Sequence, residues 1–191
     1  MILLVDNQDS FTYNLADLFG QFYKGVEVRR QEDMERFPPD MDKVKGIVFS
    51  PGPMTPFEHP IMFELLKKFH KTLPILGICL GCQAIGAFYG WGIEKMEKPL
   101  HGKTTNVQHY YHQSFWGVPE KFEVMHYHSL FVQEKKETNQ LAITAQDQQG
   151  LPMALAHTKD LVWGVQFHPE SILTEHGYKL VKNWLNLLSK N

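Results

Sequence analysis

A chain of 191 residues with 43% hydrophobic and 21% charged residues suits one globular domain with a sizeable core, and excludes a disordered chain. A formal net charge of −2 provides no basic stripe for nucleic acid, no apolar run approaches a membrane span, and two cysteines cannot form a disulfide scaffold. The apolar start at residues 1–5 meets Asp6 at once and has no basic segment before it, so no secretory signal is expected and a reduced, cytoplasmic setting is the default.

Residues 2–5 read as a buried strand. Ser10 is placed to cap a helical stretch over 11–23, where Leu15, Leu18, Phe19 and Phe22 share a face. Residues 26–30 form a short second strand, and 46–50 a third, closed by Pro51-Gly52-Pro53. A helix over 61–71, a strand over 74–78 and a helix over 83–89 follow. This alternation predicts an α/β protein with an open, largely parallel central sheet flanked by helices. Shorter strands around 104–109, 122–126, 142–146 and 153–157 then suggest a small mixed or antiparallel extension. The polar segment 134–140 reads as an exposed loop, 161–167 as a buried strand, and 175–188 as an amphipathic helix. There is no internal repeat, low-complexity tract or linker, so residues 1–191 are expected to form one domain.

In such sheets chemistry collects at the carboxyl ends of the strands. Asp6, Pro51-Gly52, Cys79 and His168 all lie just past predicted strand ends. Cys79 closes an apolar run, has Gly77 and Gly81 beside it, and precedes a helix. That is the layout of a strand-to-helix elbow with a nucleophile at its tip, where the helix N-terminus favours a thiolate. A nucleophile needs a base and a group to orient it. His168-Pro169-Glu170 supplies both, giving a Cys79–His168–Glu170 triad. The N–H groups of Leu80 and Gly52 are candidate oxyanion donors. The plainer readings are an inert core cysteine, a surface histidine beside a helix cap, and an ordinary rigid turn at Ser50–Pro53.

Together these segments resemble the class I (triad-type) glutamine amidotransferases, specifically the small glutaminase subunit (component II) of anthranilate and aminodeoxychorismate synthases. The resemblance runs from Asp6-Asn7-Gln8-Asp9-Ser10-Phe11-Thr12-Tyr13-Asn14-Leu15 through Ser50-Pro51-Gly52-Pro53, Gly77-Ile78-Cys79-Leu80-Gly81, His101-Gly102-Lys103 and Tyr127-His128-Ser129-Leu130. It ends at Gly164-Val165-Gln166-Phe167-His168-Pro169-Glu170-Ser171-Ile172. It implies a flavodoxin-like fold, attack of Cys79 on the carboxamide of L-glutamine, and transfer of the ammonia to a chorismate-using synthase subunit (component I). It also implies that Gly52, Pro53, Met54, Gln83, Ser129 and Leu130 hold glutamine. No metal or cofactor is implied in this subunit; magnesium is expected in the partner. Three positions depart from the pattern: Cys82 where histidine is common, Met54 where glycine is frequent, and His126 where arginine usually precedes Tyr-His-Ser-Leu. Met54 and His101-Gly102-Lys103-Thr104 tilt the expectation toward aminodeoxychorismate.

Rival readings remain at this stage. Cys79-x-x-Cys82 at a helix start is also a thioredoxin-like redox layout, though it leaves His-Pro-Glu unexplained, and it suggests a reversible disulfide across the nucleophile. Zinc is disfavoured because there is no second cysteine pair, and ligation by His126 and His128 has little support. An inactive regulatory subunit is disfavoured by the intact triad. A free-standing γ-glutamyl hydrolase shares the nucleophile, but Asp9-Ser10-Phe11-Thr12 favours a partnered component.

Overall fold

Leu3 and Val5 face one way and Ile2 and Leu4 the other, yet all four are fully buried, because helices cover both faces of the strand that carries them. The structure is a computed structural model that describes residues 1–34, 36–135 and 139–190. In chain order, β1 (Ile2–Asp6), α1 (Thr12–Gly20), β2 (Val26–Arg30), β3 (Gly46–Phe49), α2 (Pro60–Phe69), β4 (Ile75–Ile78) and α3 (Leu80–Phe88) come first. Next come β5 (Gly92–His109), β6 (Lys121–Gln133), β7 (Leu141–Asp147), β8 (Pro152–His157), β9 (Val162–Val165) and α4 (Gly177–Leu185).

The strands form one sheet in the order β2-β1-β3-β4-β9-β8-β7-β5-β6. The first five are parallel, so the ends of β1, β3, β4 and β9 lie on one edge, as expected. The chain leaves β1 for β2 on one side and returns to β3 on the other, which opens a crevice at that edge. Leu15 and Phe19 of α1 and Val181 and Trp184 of α4 pack on one face. Met62, Leu65 and Leu66 of α2 and Ala84 and Ile85 of α3 pack on the other.

Two sequence expectations are corrected. The helix expected over 11–23 begins at Thr12 and ends at Gly20, and Ser10 does not cap it. The Asp6 carboxylate instead accepts from the Gln8 and Asp9 N–H groups and the Thr12 hydroxyl, and Asp9 accepts from the Phe11 N–H, so local carboxylates take up the turn. The antiparallel extension has the four strands expected, continuous with the parallel sheet, with β5 and β6 running to eighteen and thirteen residues. His101-Gly102-Lys103 lies on β5 at a register shift, where Gly102 adopts φ +65°. Of the polar segment at 134–140, residues 136–138 lie outside the described residues, and Glu134, Lys135, Asn139 and Gln140 are exposed.

Candidate active site

Cys79 joins β4 directly to α3 with φ +51° and ψ −100°, a conformation a non-glycine residue rarely takes. Its N–H donates to the Val165 carbonyl at 2.8 Å, and its carbonyl accepts from the Gln83 N–H at 3.1 Å. Hydrogen bonds on both sides hold the strained turn, which costs on the order of 1–3 kcal/mol. The glycines beside it are required by contact. A Cβ on Gly77 would lie 2.3 Å from backbone atoms of Gly81, and one on Gly81 would lie 2.6 Å from Phe49 Cβ. Gly77→Ala is expected to destabilise the fold by at least about 3 kcal/mol, the upper end for overpacking, because backbone cannot yield as a side chain does. Thermal unfolding measures this, and an unchanged melting temperature would refute the elbow packing. The first-turn N–H of Leu80 has no acceptor within α3 and is available beside the sulfur.

His168 lies three residues past β9. Its N–H donates to the Met125 carbonyl at 3.1 Å, and its carbonyl accepts from the Thr174 hydroxyl at 2.6 Å. Nδ1 is 2.6 Å from Glu170 Oε1, and both side chains are nearly inaccessible, at 3% and 1%. The other carboxylate oxygen, Oε2, is buried with no hydrogen-bond partner among the described residues, so Glu170 is committed to the imidazole. Nδ1 therefore donates, and Nε2 is left for the thiol side. Nε2 is buried with no hydrogen-bond partner among the described residues. Burial pushes the imidazole toward neutrality, but the charge of the nearby Cys79 sulfur and the bonded Glu170 carboxylate outweigh it and raise the pKa to about 10. Tyr127 and Phe11 set their rings edge-on to the imidazole at 5.1 and 5.9 Å.

These groups open into a cleft of about 560 Å³ lined by Asp9, Phe11, Gly52, Pro53, Tyr127 and neighbouring residues, with Cys79 and His168 in its wall. A Cβ on Gly52 would meet Leu80 Cδ2 at 2.6 Å and Asn7 at 2.8 Å, so only glycine fits this close to the elbow. Burial raises the pKa of Asp9, against the bond it accepts from Phe11 and the charge of His168. A larger cleft, about 680 Å³, runs beside the β5–β6 ribbon and contains none of the triad.

The other sequence-predicted residues are placed as follows. Met54 is exposed at φ +68°, and Ser129 is exposed on β6; neither lines the cleft. Leu130 is half-buried, and its carbonyl accepts from Gln83 Nε2 at 3.1 Å. Gln166 was passed over by residue-level reasoning, although its Nε2 lies 3.6 Å from Cys79 Sγ and its Oε1 accepts from Gln83 at 3.3 Å. Its signal was a polar residue in an otherwise apolar buried run. Both cysteines are free thiols. Cys82 belongs to the apolar cluster on the opposite face from that of Cys79 and packs on Gly164; burial, then Cys79, pushes its pKa well up. That is a core thiol rather than a resolving cysteine. Among the described residues no group of three or more His, Cys, Asp or Glu is arranged to hold a metal ion.

A sulfur beside a protonated, carboxylate-anchored imidazole and a free helix-start N–H can attack a carbonyl and stabilise the resulting oxyanion. The profile of the family described as glutamine amidotransferase class-I matches residues 3–187. The anthranilate synthase component 2 of Azospirillum brasilense is 39% identical over 187 residues, 97% of this chain and 95% of that protein. The aminodeoxychorismate/anthranilate synthase component 2 of Bacillus subtilis is 36% identical over 195 residues, 100% of this chain and 98% of that protein. Among solved structures, a glutamine amidotransferase from Thermotoga maritima superposes with a TM-score of 0.74 at 16% identity, covering 99% of this chain and 96% of that one, and shares the fold. With the family profile spanning nearly the whole chain, and full-length relatives above one-third identity, the chain belongs to the class-I glutamine amidotransferases.

Proposed function

We propose that the chain hydrolyses the side-chain amide of L-glutamine and delivers the ammonia to a separate, chorismate-using synthase subunit. The observation that carries this reading is Cys79 at a positive-φ elbow beside a His168–Glu170 pair that keeps its proton to about pH 10. In this reading the Cys79 thiolate attacks the glutamine Cδ, and the N–H groups of Leu80 and Gly52 hold the oxyanion. Protonated His168 gives its proton to the departing nitrogen, ammonia leaves, and a glutamyl thioester remains. Neutral His168 then takes a proton from water, and the hydroxide adds to the thioester. Taking that proton returns His168 to its protonated form; collapse then expels the thiolate and releases glutamate, whose carboxyl proton passes to solvent. Glu170 holds Nδ1 throughout.

Gly52 and Pro53 are assigned to the glutamine site because they line the cleft that holds Cys79. Gln83 and Leu130 are assigned to it because their mutual bond connects to the sulfur through Gln166. Met54 and Ser129 join them on the family resemblance alone. The relatives are named as second components, one for anthranilate and one for both products, which supports a partner that fixes the product. Magnesium in that partner, bound with its chorismate, rests on the family resemblance alone. A reducing, cytoplasmic setting fits the two free thiols.

The test is product formation from chorismate with the partner subunit present. The expected result is that glutamine supports synthesis only when this chain is added, whereas ammonium salts support it without the chain. Equal glutamine turnover with and without the partner would overturn the partnered reading in favour of a free-standing hydrolase.

A further inference from the structure

A continuous line of hydrogen bonds runs from the β5–β6 ribbon to the sulfur of Cys79. The Thr105 hydroxyl is 2.8 Å from His126 Nε2, His126 Nδ1 is 3.0 Å from His128 Nε2, and His128 Nδ1 is 2.9 Å from the Leu130 carbonyl oxygen. Gln83 Nε2 meets the same oxygen at 3.1 Å and also reaches Gln166 Oε1 at 3.3 Å. Gln166 Nε2 ends the line, 3.6 Å from Cys79 Sγ. His126, His128, Gln83 and Gln166 are all buried.

The Leu130 carbonyl fixes every proton in this line, because it can only accept. His128 must carry its hydrogen on Nδ1, which leaves Nε2 as an acceptor. His126 must then donate from its own Nδ1, and its Nε2 accepts the Thr105 hydroxyl hydrogen. On the other side Gln83 must turn its NH2 toward Leu130 and Gln166, so Gln166 presents its NH2 to the sulfur. Reversing any member sets two acceptors, or two donors, face to face in a buried site. Burial is the main reason that His126 titrates at about 3 and His128 at about 4; the charges of His128 and then His168 lower His126 further, and that of His168 lowers His128 against the bond to the Leu130 carbonyl. Both imidazoles therefore stay neutral at neutral pH, as the line requires.

We propose that His126 and His128, as Nδ1–H tautomers, are positioning residues that act through the Leu130 carbonyl, Gln83 and Gln166 to hold an amide N–H on the sulfur of Cys79. The proposal rests on Cys79 being the nucleophile. A satisfied apolar pair would fill this space at a lower desolvation cost. The polar line ends instead on the one sulfur that faces the cleft.

Nitrogen-15 NMR of the imidazoles in the unmodified chain at neutral pH tests the tautomers without any substitution. Protonated Nδ1 and bare Nε2 are expected on both rings, and an Nε2–H on either overturns the proposal. The pH midpoint of Cys79 alkylation by iodoacetamide, followed by peptide mapping, tests the consequence. An amide hydrogen bond to a charged group is worth about one pH unit, so Gln166→Leu should raise the midpoint by about that much, and His126→Phe by about half of it. Thr105→Val, on the partly exposed ribbon, should shift it as His126→Phe does, and Thr105→Ser should restore it. The other titratable groups around Cys79, His168 with Glu170 behind it, Asp9 in the same cleft and Cys82 in the opposite cluster, are common to all these chains. An unshifted midpoint in folded Gln166→Leu or Thr105→Val overturns the proposal. Neither measurement uses glutamine, so a chain that passes both but fails to hydrolyse glutamine overturns the proposed function and leaves the positioning line standing.

Discussion

Cys79→Ala is expected to lower glutamine hydrolysis by at least about 10⁴-fold, the order by which loss of a covalent nucleophile slows such reactions. With the partner present, synthesis from ammonium salts should continue unchanged, because the substitution removes only the sulfur. Cys79 is 5% exposed and its backbone bonds to Val165 and Gln83 do not involve the side chain, so the fold should persist. Cys79→Gly sharpens the point. The native φ of +51° strains any residue with a Cβ and suits glycine. Relief of that strain offsets the lost packing and the greater freedom of glycine in the unfolded chain, so this variant should be equally inactive yet melt no lower than the parent. More than about 1% residual glutamine hydrolysis in Cys79→Ala would contradict the nucleophile assignment, since an interaction worth 10⁴ cannot be absent at that cost. Loss of the ammonium-driven reaction as well would place Cys79 in the partner interface instead.

The parts of the fold that could be read from the sequence are those in which local pattern and burial coincide. The apolar runs at residues 2–5, 46–50 and 74–78 became the buried strands β1, β3 and β4, because a strand covered on both faces has no polar side to confuse the pattern. Of β5 only the end around 104–109 could be read, because nine of its eighteen residues are exposed and only Val107 and His109 are buried. The site divides the same way. His168 and Glu170 are two residues apart, and the glycines around Cys79 are within two positions of it, so their relationship is visible in a short segment. Gln83 and Leu130 are 47 residues apart, and Gln166 and Cys79 are 87 apart. The sheet order, with β9 inserted beside β4, brings the second pair together, and the packing of α3 against β6 the first. Cys82 shows the converse error: a spacing that suggests a redox pair, on a helix whose first turn directs the two sulfurs into clusters on opposite faces of the sheet.

Glu170→Gln is expected to lower glutamine hydrolysis by about 10³-fold, within the range for removing the charged orienter of a catalytic histidine. Gln is isosteric, so the loss arises from charge and proton placement rather than from a cavity. The argument also fixes a pH signature. In the native chain the imidazole pKa is about 10, although burial alone would push it below 6.5; the charge of Cys79 and the bond and charge of Glu170 reverse that sign. A folded-state pKa raised above the unfolded 6.5 stabilises the folded chain fully below pH 6.5, and the stabilisation is lost as pH rises through about 10. Removing the Glu170 charge takes away one of the two groups that hold the proton, and burial gains ground. The basic limb of the activity profile should therefore move down in Glu170→Gln, and the melting temperature of the variant should fall less steeply than that of the parent between pH 6.5 and 10. Other groups that titrate in this window are shared by both chains and cancel in the comparison. Parallel melting curves across that window would mean that Glu170 does not hold the proton on His168, and the base would then have to be oriented by its contacts with Met125, Thr174 and the flanking rings alone.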